Sequence, residues 1–222
     1  MKRISIDHPD AINVALLALQ QNQVIVYPTD TIYGIGTDID NDSGIQKINH
    51  LKKREAPMSI IAHSFDSIAS KLIISNPLQN QMNAIIDNGN TCIIKYKPRS
   101  FNNLIAKDNK IGFRIPNYPF LITLLSEWGK PITTTSINTA GQQPLNDPDK
   151  IEAEFGDKID LMLDGGIIKN KSASKIYMFD KDNIVMSNLS RQIIFETNDL
   201  KKEKSLAAIN KLKKIRYTGE CL

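Results

Sequence analysis

A short apolar run, Gln23-Val24-Ile25-Val26-Tyr27, ends abruptly in Pro28-Thr29-Asp30-Thr31-Ile32-Tyr33-Gly34-Ile35-Gly36. Hydroxyls, a carboxylate and two glycines thus meet the end of an expected buried strand, which makes this edge either a ligand site or an ordinary polar turn. Gly34 and Gly36 allow backbone conformations or close approaches that a side chain would block. Three further stretches carry comparable chemistry. Lys52-Lys53-Arg54 could offer alternating cations to phosphate oxygens, arginine as a two-pronged donor and lysine as a point charge. Arg114 lies between Phe113 and Ile115 on an expected core strand, where an unpaired charge is expensive. It therefore needs a carboxylate or a phosphate, from the protein or from a ligand. Thr133-Thr134-Thr135-Ser136-Ile137-Asn138-Thr139-Ala140-Gly141 is too polar for a simple core strand and suits nucleotide or amino-acid recognition. His63, taken alone, reads as an ordinary loop histidine, since nothing local tunes it. Ser136 lacks the glycine-flanked elbow of a nucleophile, and the chain has no Walker loop, dinucleotide fingerprint or kinase signature.

The elements that must position these groups alternate between helix and strand. Apolar spacing predicts a helix over Ala11 to Leu19, a strand over Val24 to Tyr27, and a helix from Asp42 or Ser43 to about Leu51 that delivers Lys52 to Arg54. A strand is expected at Ser59 to Ala62, then helices near Phe65–Ile73 and Leu78–Ile86, then a strand at Thr91 to Tyr96. Lys97 to Asn109 is polar and irregular and reads as a mobile lid over a site. Lys110 to Pro116 and Ile132 to Thr135 read as strands around a Tyr118–Trp128 helix that Gly129 closes. Asp147-Pro148 opens a further helix, Ile159 to Leu163 is a strand before the Asp164-Gly165-Gly166 turn, and Lys175–Phe179 with Ile184–Met186 suggests a closing hairpin. The expected class is α/β with a mixed sheet rather than a purely parallel one. Residues 1–198 are expected to form one domain and 199–222 a lysine-rich amphipathic tail, either a surface helix or an RNA or partner contact.

Composition narrows the function classes. The chain is 41% hydrophobic and 23% charged, with no apolar run near the roughly 18 residues that cross a membrane. The N-terminus has a basic start without an apolar stretch behind it, so a cytoplasmic protein with no membrane contact is expected. Cys92 and Cys221 form neither a disulfide framework nor a metal cluster, and His8, His50 and His63 stand far apart. No resident metal is expected; any metal should arrive with the substrate. The net charge of +4 fits an anionic small molecule as well as nucleic acid.

From about Val24 to about Ile176 the sequence resembles the YrdC-type family, the threonylcarbamoyl-AMP synthases. The carriers are Pro28-Thr29-Asp30-Thr31-Ile32-Tyr33-Gly34, Lys52-x-Arg54, Gly112-Phe113-Arg114-Ile115-Pro116, Thr135-Ser136-Ile137-Asn138, and Asp164-Gly165-Gly166 with Ser174. The resemblance implies a twisted mixed sheet around a concave basic cavity. It also implies synthesis of L-threonylcarbamoyl-adenylate from L-threonine, bicarbonate and ATP, with Mg2+ accompanying ATP and pyrophosphate leaving. The product would pass to a transferase that modifies tRNA. By position, Lys52, Arg54, Ser136 and Asn138 resemble the family's ATP contacts, with Lys52 and Arg54 the catalytic cations, and Thr31, His63, Arg114, Thr134 and Ser174 resemble its threonine contacts. Where the family often has a threonine after the late serine and Pro-Leu after the basic motif, this chain has Lys175 and Ser59-Ile60. Arg191 lies a few residues beyond the place of a late arginine. An alternative is a paralogue, or an RNA-binding module, without synthase activity.

Overall fold

A computed structural model describes residues 1–53, 56–180 and 183–187. The elements run β1 (Lys2–Ser5), α1 (Ala11–Gln20), β2 (Ile25–Tyr27), β3 (Gly34–Gly36), α2 (Asp42–Leu51), β4 (Ser59–Ile61), α3 (Asp66–Ala69) and α4 (Asn76–Asp87). They continue through β5 (Thr91–Lys95), β6 (Lys110–Arg114), α5 (Pro119–Trp128), β7 (Ile132–Ser136), α6 (Pro148–Phe155), β8 (Leu161–Asp164), β9 (Ile176–Asp180) and β10 (Asn183–Ser187). The strands form one mixed sheet in the order β1-β8-β2-β3-β7-β4-β6-β5-β9-β10, as the mixed α/β reading requires. The chain divides into two units, Met1–Met186 and Ser187–Leu222. The lysine-rich tail, Cys221 and Arg191 lie outside the described residues.

Local chemistry explains where the helices start and stop. In α1 the buried positions are Ala11, Ala15, Ala18 and Leu19, a helical stripe whose small side chains permit close approach to the sheet. The Asn41 side chain caps α2 by accepting from the Gly44 amide at 3.0 Å. Asp147 caps α6 through the Asp149 amide at 3.0 Å, and Pro148 fills the first turn. Gly129, at φ 76°, closes α5 and donates its amide to the Leu125 carbonyl at 3.2 Å.

Strand register decides what each face of the sheet carries. Directly paired residues share a face, so Tyr27, Gly34 and Ser136 lie together, as do Ser59, Gly112 and Thr134, and likewise Ile61, Arg114 and Ile132. One part of that face is covered by α1 and α5: Ala15, Ala18, Leu19, Leu121, Leu124 and Leu125 pack on Ile25, Tyr27, Ile61, Ile132, Leu161 and Leu163. The rest of the same face carries Arg114, Ser59, Thr134 and Ser136. The opposite face holds the larger core, in which Ile45 and Ile48 of α2 and Met82 and Ile86 of α4 meet Val26, Ile35, Ile60, Cys92 and Phe113.

Several elements depart from the sequence expectation. No strand is expected from the sequence at Gly34–Gly36, yet this segment pairs with both β2 and β7. The helix expected over Phe65–Ile73 is limited to α3, because Leu72 bridges to Tyr96 and the Ile73 amide donates to the Lys95 carbonyl at 3.0 Å. The Lys97–Asn109 segment is no lid over the polar face. Its Phe101 and Ile105 are buried in the core on the other face, with Phe101 edge-on to Tyr96. Gly36 is a close-approach glycine: a Cβ there would lie 1.9 Å from the Thr133 carbonyl oxygen. Gly36→Ala should therefore cost about 3 kcal/mol by overpacking. Gly129→Ala, which meets open space and only backbone strain, should cost about 1 kcal/mol. Urea unfolding of the two variants checks that order.

Candidate substrate site

Arg114 ends β6 and is only 5% exposed, so its charge must be satisfied from within. Nε donates to the Gly89 carbonyl at 2.7 Å and Nη2 donates to Asp30 Oδ2 at 2.7 Å. Burial lowers the guanidinium pKa, and the neighbouring Asp30 charge and hydrogen bond oppose that shift. Of its five N–H groups, two are engaged among the described residues, both on the Nε–Nη2 side, so Nη1 can still take an anion. Asp30 Oδ1 is buried and has no hydrogen-bond partner among the described residues. Gly89 fits this point for two reasons. Its φ is 65°, and a Cβ would come within 2.9 Å of Asp30 Oδ2 and 3.4 Å of Arg114 Nη2.

Around this pair stand the residues expected on the amino-acid side. The Thr29 hydroxyl donates to the Ile32 carbonyl at 2.7 Å, so across the 3.0 Å contact of the two hydroxyls Thr31 is the donor. Tyr27 is buried beneath Gly34 and donates to the Thr133 carbonyl at 3.1 Å; burial raises its pKa, keeping it a neutral phenol, against the opposing pull of Thr134 and Arg114. Ser174 shares a 2.7 Å hydroxyl contact with Thr91, the residue before Cys92 on β5, and Cys92 pairs with Phe113 beside Arg114. His63 is half-buried just past β4, next to Ala62, whose amide donates to the Arg114 carbonyl at 3.1 Å.

A second cluster forms where α2 ends. Lys52 is 3% exposed, and its Nζ donates to the Ser136 carbonyl at 2.6 Å, the Asn138 carbonyl at 2.9 Å and Asn138 Oδ1 at 2.7 Å. Ser136 Oγ donates to the same Oδ1 at 2.6 Å, while Asn138 Nδ2 donates to the Thr139 and Gln142 carbonyls at 2.9 and 2.7 Å. Lys52 thus organises the turn after β7 while placing a positive charge beneath it. Register links the two clusters, since Ser136 pairs with Gly34 and Gly34 with Tyr27. Arg54 lies outside the described residues.

The structure brings Lys52, Ser136 and Asn138 together and sets Arg114 and Thr134 on one face, with Thr31 adjoining Asp30. The sequence offers Asp30 as a polar contact on the edge after β2 but does not pair it with Arg114, and it gives Gly89 no place in the site. A usable signal existed in the core arginine, which required a carboxylate, and Asp30 is the acid of the most polar strand edge. Asp30→Ala should destabilise the fold by about 3 kcal/mol, because it strands a buried guanidinium. Adding Arg114→Ala should recover part of that loss. A double-mutant cycle from denaturant unfolding measures both.

The Sua5/YciO/YrdC family model, which bears the description telomere recombination, matches residues 17–188. A ThiF family model matches the shorter stretch 165–219. A threonylcarbamoyl-AMP synthase of Vibrio parahaemolyticus is 31% identical over 161 residues, covering 70% of this chain and 87% of that protein. The crystal structure of Escherichia coli YciO superposes with a TM-score of 0.73 at 23% identity, over 83% of this chain and 92% of YciO. Sua5 of P. abyssi, crystallised with L-threonine, gives a TM-score of 0.72 at 19% identity, over 83% of this chain and 56% of Sua5. With its model spanning most of the sequence and the same sheet recurring in these structures, the chain belongs to the Sua5/YciO/YrdC family.

Proposed function

We propose that this protein is a threonylcarbamoyl-AMP synthase. It joins L-threonine, bicarbonate and ATP into L-threonylcarbamoyl-adenylate, releases pyrophosphate, and supplies a cytoplasmic transferase that modifies tRNA. The observation that carries this reading is the buried Arg114, fixed on one side by Asp30 and Gly89 with Nη1 uncommitted, on the sheet face that also bears Ser136. The relative named threonylcarbamoyl-AMP synthase supports it, as does the threonine complex of Sua5.

In this mechanism Arg114 receives the amino-acid carboxylate, and Thr31, Thr134, Ser174 and His63 surround the rest of the molecule. The amine attacks bicarbonate to give a carbamate and water. A carbamate oxygen then attacks the α-phosphorus and the bond to pyrophosphate breaks. No protein nucleophile is needed, so the protein contributes positioning and charge neutralisation. Ser136 and Asn138 address the nucleotide. Lys52 acts through the turn it holds and through its charge, and Arg54 is the cation assigned to the leaving phosphates. Among the described residues no group of three His, Cys, Asp or Glu side chains could hold a metal. Magnesium is assigned to the triphosphate it would accompany, where it would offset phosphate charge. No described helix is long and apolar enough to cross a membrane.

The test is pyrophosphate release from ATP with threonine and bicarbonate each omitted in turn. Release should require both. Arg114→Ala should raise the threonine KM by about 100-fold, the loss expected for one buried charge-assisted contact. Ser136→Ala should act mainly on the ATP dependence. Threonine-independent release, or an unchanged threonine KM in the arginine variant, would defeat the reading.

A further inference from the structure

The connection that leaves β8 at Asp164 and enters β9 at Ile176 carries Ser174, and both of its ends meet the segments that hold Arg114. At its start, a Cβ on Gly165 would lie 2.8 Å from Pro28 Cγ, so this glycine sits against the edge that supplies Asp30 two residues later. At its far end the Ser174 hydroxyl meets that of Thr91 at 2.7 Å, and the Thr91 amide donates to the Lys175 carbonyl at 2.9 Å. Thr91 follows by two residues the Gly89 carbonyl that accepts from Arg114. Between these ends Lys169 to Ala173 are exposed, so the course of the loop is decided where it is tied.

Tyr33 ties the first end. Its ring is wholly buried in the larger core, and its hydroxyl donates to the Gly166 carbonyl at 2.8 Å while accepting from the Gly165 amide at 2.9 Å. Burial raises the phenol pKa, against an opposing pull from the Gly165 amide, so the group stays a neutral donor. The Tyr33 backbone serves the other cluster. The Ile137 amide, between Ser136 and Asn138, donates to the Tyr33 carbonyl at 3.3 Å, and the Tyr33 amide donates to Asn146 Oδ1 at 3.1 Å. Asn146 closes the circuit, its own carbonyl accepting from the Ile168 amide at 2.9 Å. One residue thus joins the turn of Ser136 and Asn138 to the connection that carries Ser174.

We propose that Tyr33 is a positioning residue for the amino-acid side of the site. Its hydroxyl fixes the Gly165–Gly166 end of the connection, so that Ser174 and the Thr29–Thr31 edge keep one arrangement around Arg114. The assignment rests on the synthase reading and deepens it. The phenol proton is committed to the Gly166 carbonyl, so the residue acts through what it holds and not as an acid or base. Gly165 and Gly166 are exposed, and water can satisfy their backbone groups when the hydroxyl is removed. The fold can therefore survive that loss, whereas the placement of the loop cannot.

The test compares the full-length wild type with Tyr33→Phe, which keeps the ring and removes only the hydroxyl, and with Gly165→Ala, which pushes the turn away from Pro28 and leaves the core tyrosine intact. Amide exchange followed by mass spectrometry over residues 164–175 should quicken at least about tenfold in Tyr33→Phe, with β2 and β7 unchanged. In threonine-dependent pyrophosphate release both variants should raise the threonine KM about tenfold and change the ATP KM by less than about twofold. The double variant should lose little more than either single one, since both act on one contact. A role in stability alone would lower the thermal midpoint and leave the threonine KM where it was, which overturns the proposal. Equal rises in both KM values, additive losses, or unchanged exchange in Tyr33→Phe overturn it as well. Wild-type release that ignores threonine, with exchange still quickened in Tyr33→Phe, defeats the synthase reading and leaves the hold of the hydroxyl on the loop established.

Discussion

A guanidinium can remain charged inside a sheet face only if the chain gathers acceptors around it, and that requirement shapes the polar region of this protein. Arg114 comes from β6, Asp30 from the edge after β2, and Gly89 from the turn before β5. Three distant segments must therefore converge on one point before the cation is tolerable. The convergence pins the Thr29–Thr31 edge against the Asn88–Asn90 turn and holds the fork in a single orientation. Pre-orientation of this kind lowers the entropy a ligand must otherwise overcome.

The rest follows from incomplete coverage of one sheet face. Helices α1 and α5 bury the part built from β2 and β8, and their apolar residues stop short of Ser59, Thr134 and Ser136. Because the pleat alternates, the same strands can send Phe113, Ile60 and Cys92 into a dry core while turning Arg114, Ser59 and Thr91 the other way. Core and site are thus two sides of a single register, and a slip of one residue would exchange them.

Much of this was legible in the sequence. Helical spacing located α1, α2 and α5, an Asp-Pro start located α6, β-branched runs located β2 and β5, and a run stopped by Pro116 located β6, because each signal is local. The turn of hydroxyls at Thr133–Asn138 announced itself by being too polar for its position. What escaped was non-local. A Gly-Ile-Gly strand has no propensity signal, and Gly34 and Gly36 are explained only by the Tyr27 ring and the Thr133 carbonyl that crowd them. The pairing of Arg114 with an acid 84 positions away depends on topology. The Lys97–Asn109 segment looked like a lid because its polar residues outnumber its anchors, yet two apolar side chains, Phe101 and Ile105, decide where it packs.

One strand has a mechanical meaning beyond the groups it displays. β7 hydrogen-bonds to β3 on one side and β4 on the other, so it is the seam at which two smaller sheets are joined. Thr134 and Ser136 sit on that seam. A molecule held from both edges of it would act as a rivet, stiffening the halves against separation and slowing the transient breathing that exposes strand amides to solvent exchange.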